Sequence, residues 1–146
     1  HSIEFTSLAM ANIYGPRQDP HGEAGVVAIF AGLLLEGRAC TIFGDGNQTR
    51  DFVYVDDAVD AFVRAADRGS GLLCNIGTGV ETSVNELYAA MAAAAGVTTP
   101  PTYGAPRPGE LARSALDPAR AGLHLGWQPW TTLADGVGEV IRWFGG

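Results

Sequence analysis

The sequence predicts an α/β domain of the mixed α+β kind, built as a small lobe and not as a free-standing sheet. Short β-runs alternate with helical stretches, the β-runs are few, and the loops between them are long and rich in proline and glycine. At 146 residues the chain is one domain's worth and long enough to bury a core.

Ile3 to Tyr14 reads as one strand, with Ile3, Phe5, Leu8 and Met10 apolar, stopped at Gly15-Pro16 because proline cannot continue a ladder. A polar loop from Arg17 to Gly22 follows, and His21 reads as a loop residue. Glu23 to Glu36 has the composition of a largely buried helix, closed by Gly37. Cys40 to Phe43 and Asp51 to Val55 are β-runs around the glycine turn Gly44-Asp45-Gly46. Asp56 or Asp57 is expected to cap a helix through about Arg68, with Val59, Phe62, Val63 and Ala66 on one face. Capping and a solvated face account for Asp56, Asp57 and Asp60.

Leu72 to Ile76 is a further strand, ended by the turn Gly77-Thr78-Gly79. This turn is not a phosphate loop, since no third glycine follows at the required spacing. Ser83-Val84-Asn85-Glu86 fits a capping box, so a helix runs from there through Ala95 and closes at Gly96. Val97 to Pro108 is a loop with at most one strand, around Thr102 to Tyr103. Asp117-Pro118 starts a short helix ending near Gly126. The last helix places Leu133, Val137, Val140, Ile141 and Phe144 on one apolar face.

Composition excludes several classes. The net charge of −7 argues against nucleic acid. No apolar run reaches the roughly 20 residues of a membrane span, and no secretory signal opens the chain, so the expected location is the cytoplasm. Cys40 and Cys74 read as buried free thiols, and the scattered histidines give no metal-ligand spacing. All nine basic residues are arginine, so no mechanism that needs a lysine can be completed by this chain alone. Opening inside a β-run without a methionine, the chain is expected to be a piece of a longer protein.

Three clusters could carry chemistry. Gly44 and Gly46 permit a tight turn, and alternation along the next strand would place Arg50, Phe52 and Tyr54 on one face. Arg50 there can grip a phosphate through two parallel N–H bonds, or it can form a surface ion pair with Asp51 or a helix carboxylate. Arg107-Pro108-Gly109-Glu110 can offer an arginine to phosphate and a carboxylate to a sugar hydroxyl, or close on itself as an internal Arg–Glu turn. Asn12, near a strand end, can donate and accept toward sugar hydroxyls or be satisfied by backbone.

Taken in order, Leu8, Asn12-Ile13-Tyr14-Gly15-Pro16, Gly44-Asp45-Gly46 with Arg50-Asp51-Phe52-Val53-Tyr54-Val55 and Asp57, Asn75-Ile76-Gly77-Thr78-Gly79 and Arg107-Pro108-Gly109-Glu110 resemble the extended short-chain dehydrogenase/reductases. Leu125-Gly126-Trp127 with Pro129 also fits. The likeness is to NAD-dependent sugar-nucleotide epimerases of the UDP-glucose 4-epimerase type, and to the C-terminal portion of that Rossmann-type fold. It implies that Asn12 and the backbone of Gly25, Val26 and Val27 contact a sugar nucleotide. It implies further that Thr41 and Phe43 lie against the uracil or its ribose, that Arg50 and Arg107 bind the diphosphate, and that Glu110 binds a ribose hydroxyl. Ser114 would lie near the hexose, leaving room for an acetamido group, and Tyr14 would be part of the site wall.

The sequence departs from the family in having Ala9 where an arginine usually follows the leucine. It also holds neither the glycine-rich dinucleotide fingerprint nor a Tyr-x-x-x-Lys pair. The resemblance therefore implies NAD in a parent enzyme, no NAD retained by this chain alone, and no catalytic residue or metal site within it. Expected partners are a UDP-sugar or other nucleotide sugar, with a homodimeric parent and self-association of the isolated piece. A dehydratase or decarboxylase of the same superfamily, or a non-catalytic binding module, are the other readings.

Overall fold

The computed structural model describes residues 3–21 and 25–146. Among the described residues eight short strands and five helices follow one another: β1 (Ser7–Met10), β2 (Asn12–Tyr14), α1 (Val26–Leu35), β3 (Thr41–Phe43), β4 (Thr49–Arg50), β5 (Phe52–Tyr54), α2 (Val55–Ala65), β6 (Leu73–Ile76), β7 (Thr82–Ser83), α3 (Val84–Ala95), β8 (Thr102–Gly104), α4 (Ala119–Leu125) and α5 (Leu133–Gly145). The strands form four pairs; β1·β6, β2·β5 and β3·β8 are parallel, and β4·β7 is antiparallel.

The run expected as one opening strand is two. Its backbone changes partner at Ala11, whose N–H donates to the Ile76 carbonyl while the next N–H, of Asn12, donates to that of Asp51. Ile3 and Phe5 precede the paired residues and are exposed. A second division falls at Asp51, where β4 pairs with β7 on one side and β5 with β2 on the other. Arg50 is part-exposed, whereas Phe52 and Tyr54 are buried.

Two apolar clusters hold the fold. The larger packs α1, α3 and α5 around Tyr14, Phe52 and Tyr54, with Tyr14 edge-on to both other rings. Burial, with the Asp57 carboxylate second, pushes the Tyr14 hydroxyl pKa well above its usual value. Tyr14 is thus a neutral core phenol, not a wall of the site. The smaller cluster joins Val53, Ala61, Cys74, Ile76, Ala121, Leu125 and Trp127 between α2, β6 and α4. Each fully buried aliphatic or aromatic side chain in these clusters contributes about 1.5–3 kcal/mol of apolar burial.

Local signals explain the helix ends. Ser83 accepts from the Glu86 N–H while the Glu86 carboxylate accepts from the Ser83 N–H, completing the capping box, and Gly96 closes α3 in the left-handed region. Arg64 and Arg68 donate to the Gly126 and Leu125 carbonyls and so satisfy the end of α4, where cations are favoured. The start of α2 differs from expectation. Tyr54 occupies the cap position, and Asp57 lies inside the first turn, fully buried. Its carboxylate accepts from the Thr131 N–H and hydroxyl, while its carbonyl accepts from the Trp127 indole, so Asp57 is an internal tie and not a solvated charge. Conversely Val59, Phe62 and Val63, expected on one face of α2, share that face but leave it exposed. Both cysteines are free and buried.

Candidate functional site

A cleft of about 290 Å³ opens between the start of α1, β3 and the loop that follows β8. Asn12, Val26, Thr41, Phe43, Arg50, Arg107 and Glu110 all line it, together with Ile29, Phe30, Ile42, Gln48, Phe52 and Val84. Residues separated by almost a hundred positions meet there because β2 pairs with β5 and β3 with β8, bringing Asn12, Thr41, Phe43, Arg50 and the loop after β8 to one cleft. Gly25 caps α1 with no side-chain hydrogen bond among the described residues, and the helix N-terminus lies beside the cleft at Val26. Val27 turns into the core and Ser114 lies outside the cleft lining.

The charged residues are already arranged. Arg50 Nη1 donates to the carbonyls of Thr49 and Leu111 at 2.7 and 2.8 Å, and its Nη2 lies 3.2 Å from Glu110 Oε1. The Arg50–Glu110 pair is partly shielded, with side-chain exposures of 19% and 26%. Arg107 does not close on Glu110 through its side chain; its guanidinium carbon sits 4.2 Å from the centre of the Phe43 ring, in cation–π geometry. The Arg107–Glu110 turn closes through its backbone, the Glu110 N–H donating to the Arg107 carbonyl at 3.3 Å, while the two side chains make separate contacts. Among the described residues, each arginine keeps donors of its planar fork without a partner.

The segment from Ala105 to Leu116 forms a strap over this wall. The Thr49 N–H donates to the Ala112 carbonyl at 2.9 Å, and Arg113 grips Glu81 through Nε and Nη2. Glu81 also accepts from the Thr49 hydroxyl at 2.6 Å, and the Arg113 and Thr49 bonds together hold its pKa down to about 2. The glycine turn serves structure more than close ligand approach. Gly44 and Gly46 both adopt positive φ, and a side chain on Gly46 would run into the Asn85 amide, which donates to the Asp45 carbonyl.

Sequence reasoning missed Asp51, considered only as a surface partner of Arg50. It is buried, and its carboxylate accepts from the Thr78 N–H and hydroxyl, the Gly79 N–H and the Leu116 N–H. A single acidic residue inside a buried β-run, with a Gly-Thr-Gly turn elsewhere in the chain, was the available signal. Those turn N–H groups are committed to an internal carboxylate, so this turn cannot cradle a dinucleotide phosphate. Among the described residues no cluster of metal-ligating side chains occurs, and no helix is long and apolar enough to cross a membrane.

Residues 1–77 match the model of the NAD dependent epimerase/dehydratase family, which is more than half of the chain. The chain belongs to that family. It is 54% identical to a UDP-glucose 4-epimerase of Mycolicibacterium smegmatis across 99% of its own length and 46% of the relative's. The crystal structure of a Thermotoga maritima UDP-glucose 4-epimerase with UDP-glucose superposes with a TM-score of 0.95 at 45% identity, over 97% of this chain and 46% of that one. A Thermus thermophilus UDP-glucose 4-epimerase in complex with NAD superposes with a TM-score of 0.88 at 40% identity, over 97% and 47% of the two chains. The chain spans about half the length of the relatives it matches, and its mixed α/β fold is theirs over that span.

Proposed function

We propose that this chain is the C-terminal, substrate-gripping part of an NAD-dependent UDP-hexose 4-epimerase. One observation carries the proposal: a single cleft gathers Asn12, the α1 N-terminus, Phe43, Arg50, Arg107 and Glu110, the donor, aromatic and acceptor set that a nucleoside diphosphate requires. Arg50 and Arg107 address the diphosphate, Phe43 and Thr41 the base and its ribose, and Glu110 a ribose hydroxyl. Asn12 hydrogen-bonds the nucleotide sugar. Binding energy gathered at the nucleotide would position the hexose for chemistry carried out elsewhere. Ser114, beyond the cleft lining, is assigned to the hexose side, where its small side chain tolerates a 2-acetamido group.

In this reading the other half of the protein supplies the dinucleotide fold, the Tyr-x-x-x-Lys pair and the NAD. The exposed apolar face of α2 supports it, because parallel strand pairs such as β1·β6 are ordinarily covered on both sides. Calorimetric titration of UDP and UDP-glucose into the full-length protein tests the grip. Saturable binding that Arg50→Ala weakens is expected, and an absence of UDP binding would overturn the proposal.

A further inference from the structure

The Asp51 carboxylate stands where three site-bearing stretches meet, and we propose that it is a positioning residue that sets the strap against the arginine wall. What the strap would hold rests on the nucleotide-sugar reading above; that Asp51 holds the strap does not. Asp51 is 1% exposed and lies between Arg50, the last residue of β4, and Phe52, the first of β5. Its Oδ1 accepts from the Thr78 N–H at 2.8 Å and the Thr78 hydroxyl at 2.6 Å. Its Oδ2 accepts from the Gly79 N–H at 3.0 Å and the Leu116 N–H at 3.2 Å. Its own carbonyl accepts from the Asn12 N–H at 2.9 Å.

An ionised carboxylate offers about four acceptor positions, and here four donors fill them, which offsets the cost of removing the charge from water. Saturation has two consequences. Asp51 has no position left for a ligand, and no cationic side chain among the described residues pairs with it. The surrounding backbone is shaped to this carboxylate: a side chain at Gly77 would collide with Oδ2 as well as crowd Leu116 and Ala11. The Gly77-Thr78-Gly79 turn is an anion cradle whose anion belongs to the protein itself.

The bond to Leu116 gives the cradle reach. Leu116 follows Arg107, Glu110 and Ser114 on the strap, while Thr49 and Arg50 hold the same strap at Ala112 and Leu111. Residues 49–51 thus tie the strap at three successive points, and the Asp51 backbone fixes Asn12 as well. Displacement of the Asp51 carboxylate would let Arg107 and Glu110 move relative to Arg50 and Asn12 without any of those four being altered.

The test uses Asp51→Asn in the full-length protein, which replaces two acceptor positions by N–H groups facing N–H donors. Two measurements are taken: amide hydrogen exchange across residues 105–116 without ligand, and UDP affinity with the KM and kcat split for UDP-glucose. The expected result is faster exchange in the strap, UDP affinity lower by about tenfold, and a raised KM with kcat at saturation nearly unchanged. Unchanged strap exchange would overturn the proposal, even if the melting temperature fell, since a purely structural tie would move stability alone. Faster exchange with unaltered UDP affinity would equally overturn the positioning role. If the wild-type protein binds no UDP, the nucleotide-sugar reading fails, and strap exchange alone decides whether Asp51 holds the strap. Should Asp51→Asn not fold, Thr78→Val removes the hydroxyl that donates to Asp51 and accepts from the Val80 N–H, while Thr78→Ser keeps both bonds; an effect of Thr78→Val in the same direction of about threefold that Thr78→Ser does not share supports the proposal, and none overturns it.

Discussion

The two sides of this molecule treat polar and apolar groups in opposite ways. Around α1, α3 and α5 the apolar core is closed, and Arg50 and Asp51 beside it are each held by several bonds. Around β1·β6, α2 and α4 a smaller core is closed beneath, yet Val59, Phe62, Val63 and Leu73 remain more than half exposed above it. The first side presents a cleft whose charged residues are already arranged. The second presents exposed apolar side chains. In the proposed reading the first side suits a ligand and the second a covering layer of protein.

The largest effect that could break this comparison is at Arg50. Arg50→Ala removes charge-assisted bonds to the strap and the proposed diphosphate, and about 2–3 kcal/mol, or on the order of 100-fold, of UDP affinity should go with it. Calorimetry checks this, and a loss of less than threefold would place the grip elsewhere. On the opposite side, Phe62→Asp with Val63→Asp should turn a self-associating isolated chain into a monomer by light scattering while lowering the melting temperature of the full-length protein. An isolated wild-type chain that is already monomeric and melts cooperatively would contradict the idea of an uncovered face.

Gly136→Ala probes the closed core between them. The added methyl would meet the Tyr14 hydroxyl, and overpacking of this kind costs about 1–3 kcal/mol, readable in a urea melt. A smaller effect concerns sugar choice. Ser114→Tyr should reduce turnover of UDP-N-acetylhexosamine about tenfold more than that of UDP-hexose, and equal losses would remove Ser114 from the hexose side. The smallest is the strap's pH dependence. Glu81, held down to about 2 mainly by Arg113 and then by Thr49, supports the strap fully above the ordinary carboxylate range. That support fades as pH falls toward about 2, so Glu81→Gln should be less stable than wild type at pH 7 and equal to it below pH 2 in acid titrations followed by circular dichroism.

Much of the fold could be read from the chain. The capping box at Ser83, the closing glycines at Gly37, Gly96 and Gly126, and the apolar face of α5 depend on residues a few positions apart. The pattern therefore records them. Arg50, Arg107, Glu110 and Asn12 were also identifiable as candidates, since arginine beside proline and glycine has few purely structural uses. Their meeting in one cleft was not legible from local pattern, nor was the pairing of Arg50 with Glu110 across sixty residues. Asp51 was misread as a surface partner of Arg50 and Asp57 as a helix cap, because only long-range donors such as Thr78, Leu116 and Thr131 make their burial tolerable.

By itself the sequence determined the alternation of strand and helix, the helix ends, the absence of any lysine, and the inventory of groups able to hold an anion. Only the tertiary structure decided which partner each half of the divided strands takes, which carboxylates go inside, and which apolar face stays open. Local preferences are set by neighbours along the chain, whereas burial of a charge or pairing of a strand depends on groups that arrive from elsewhere.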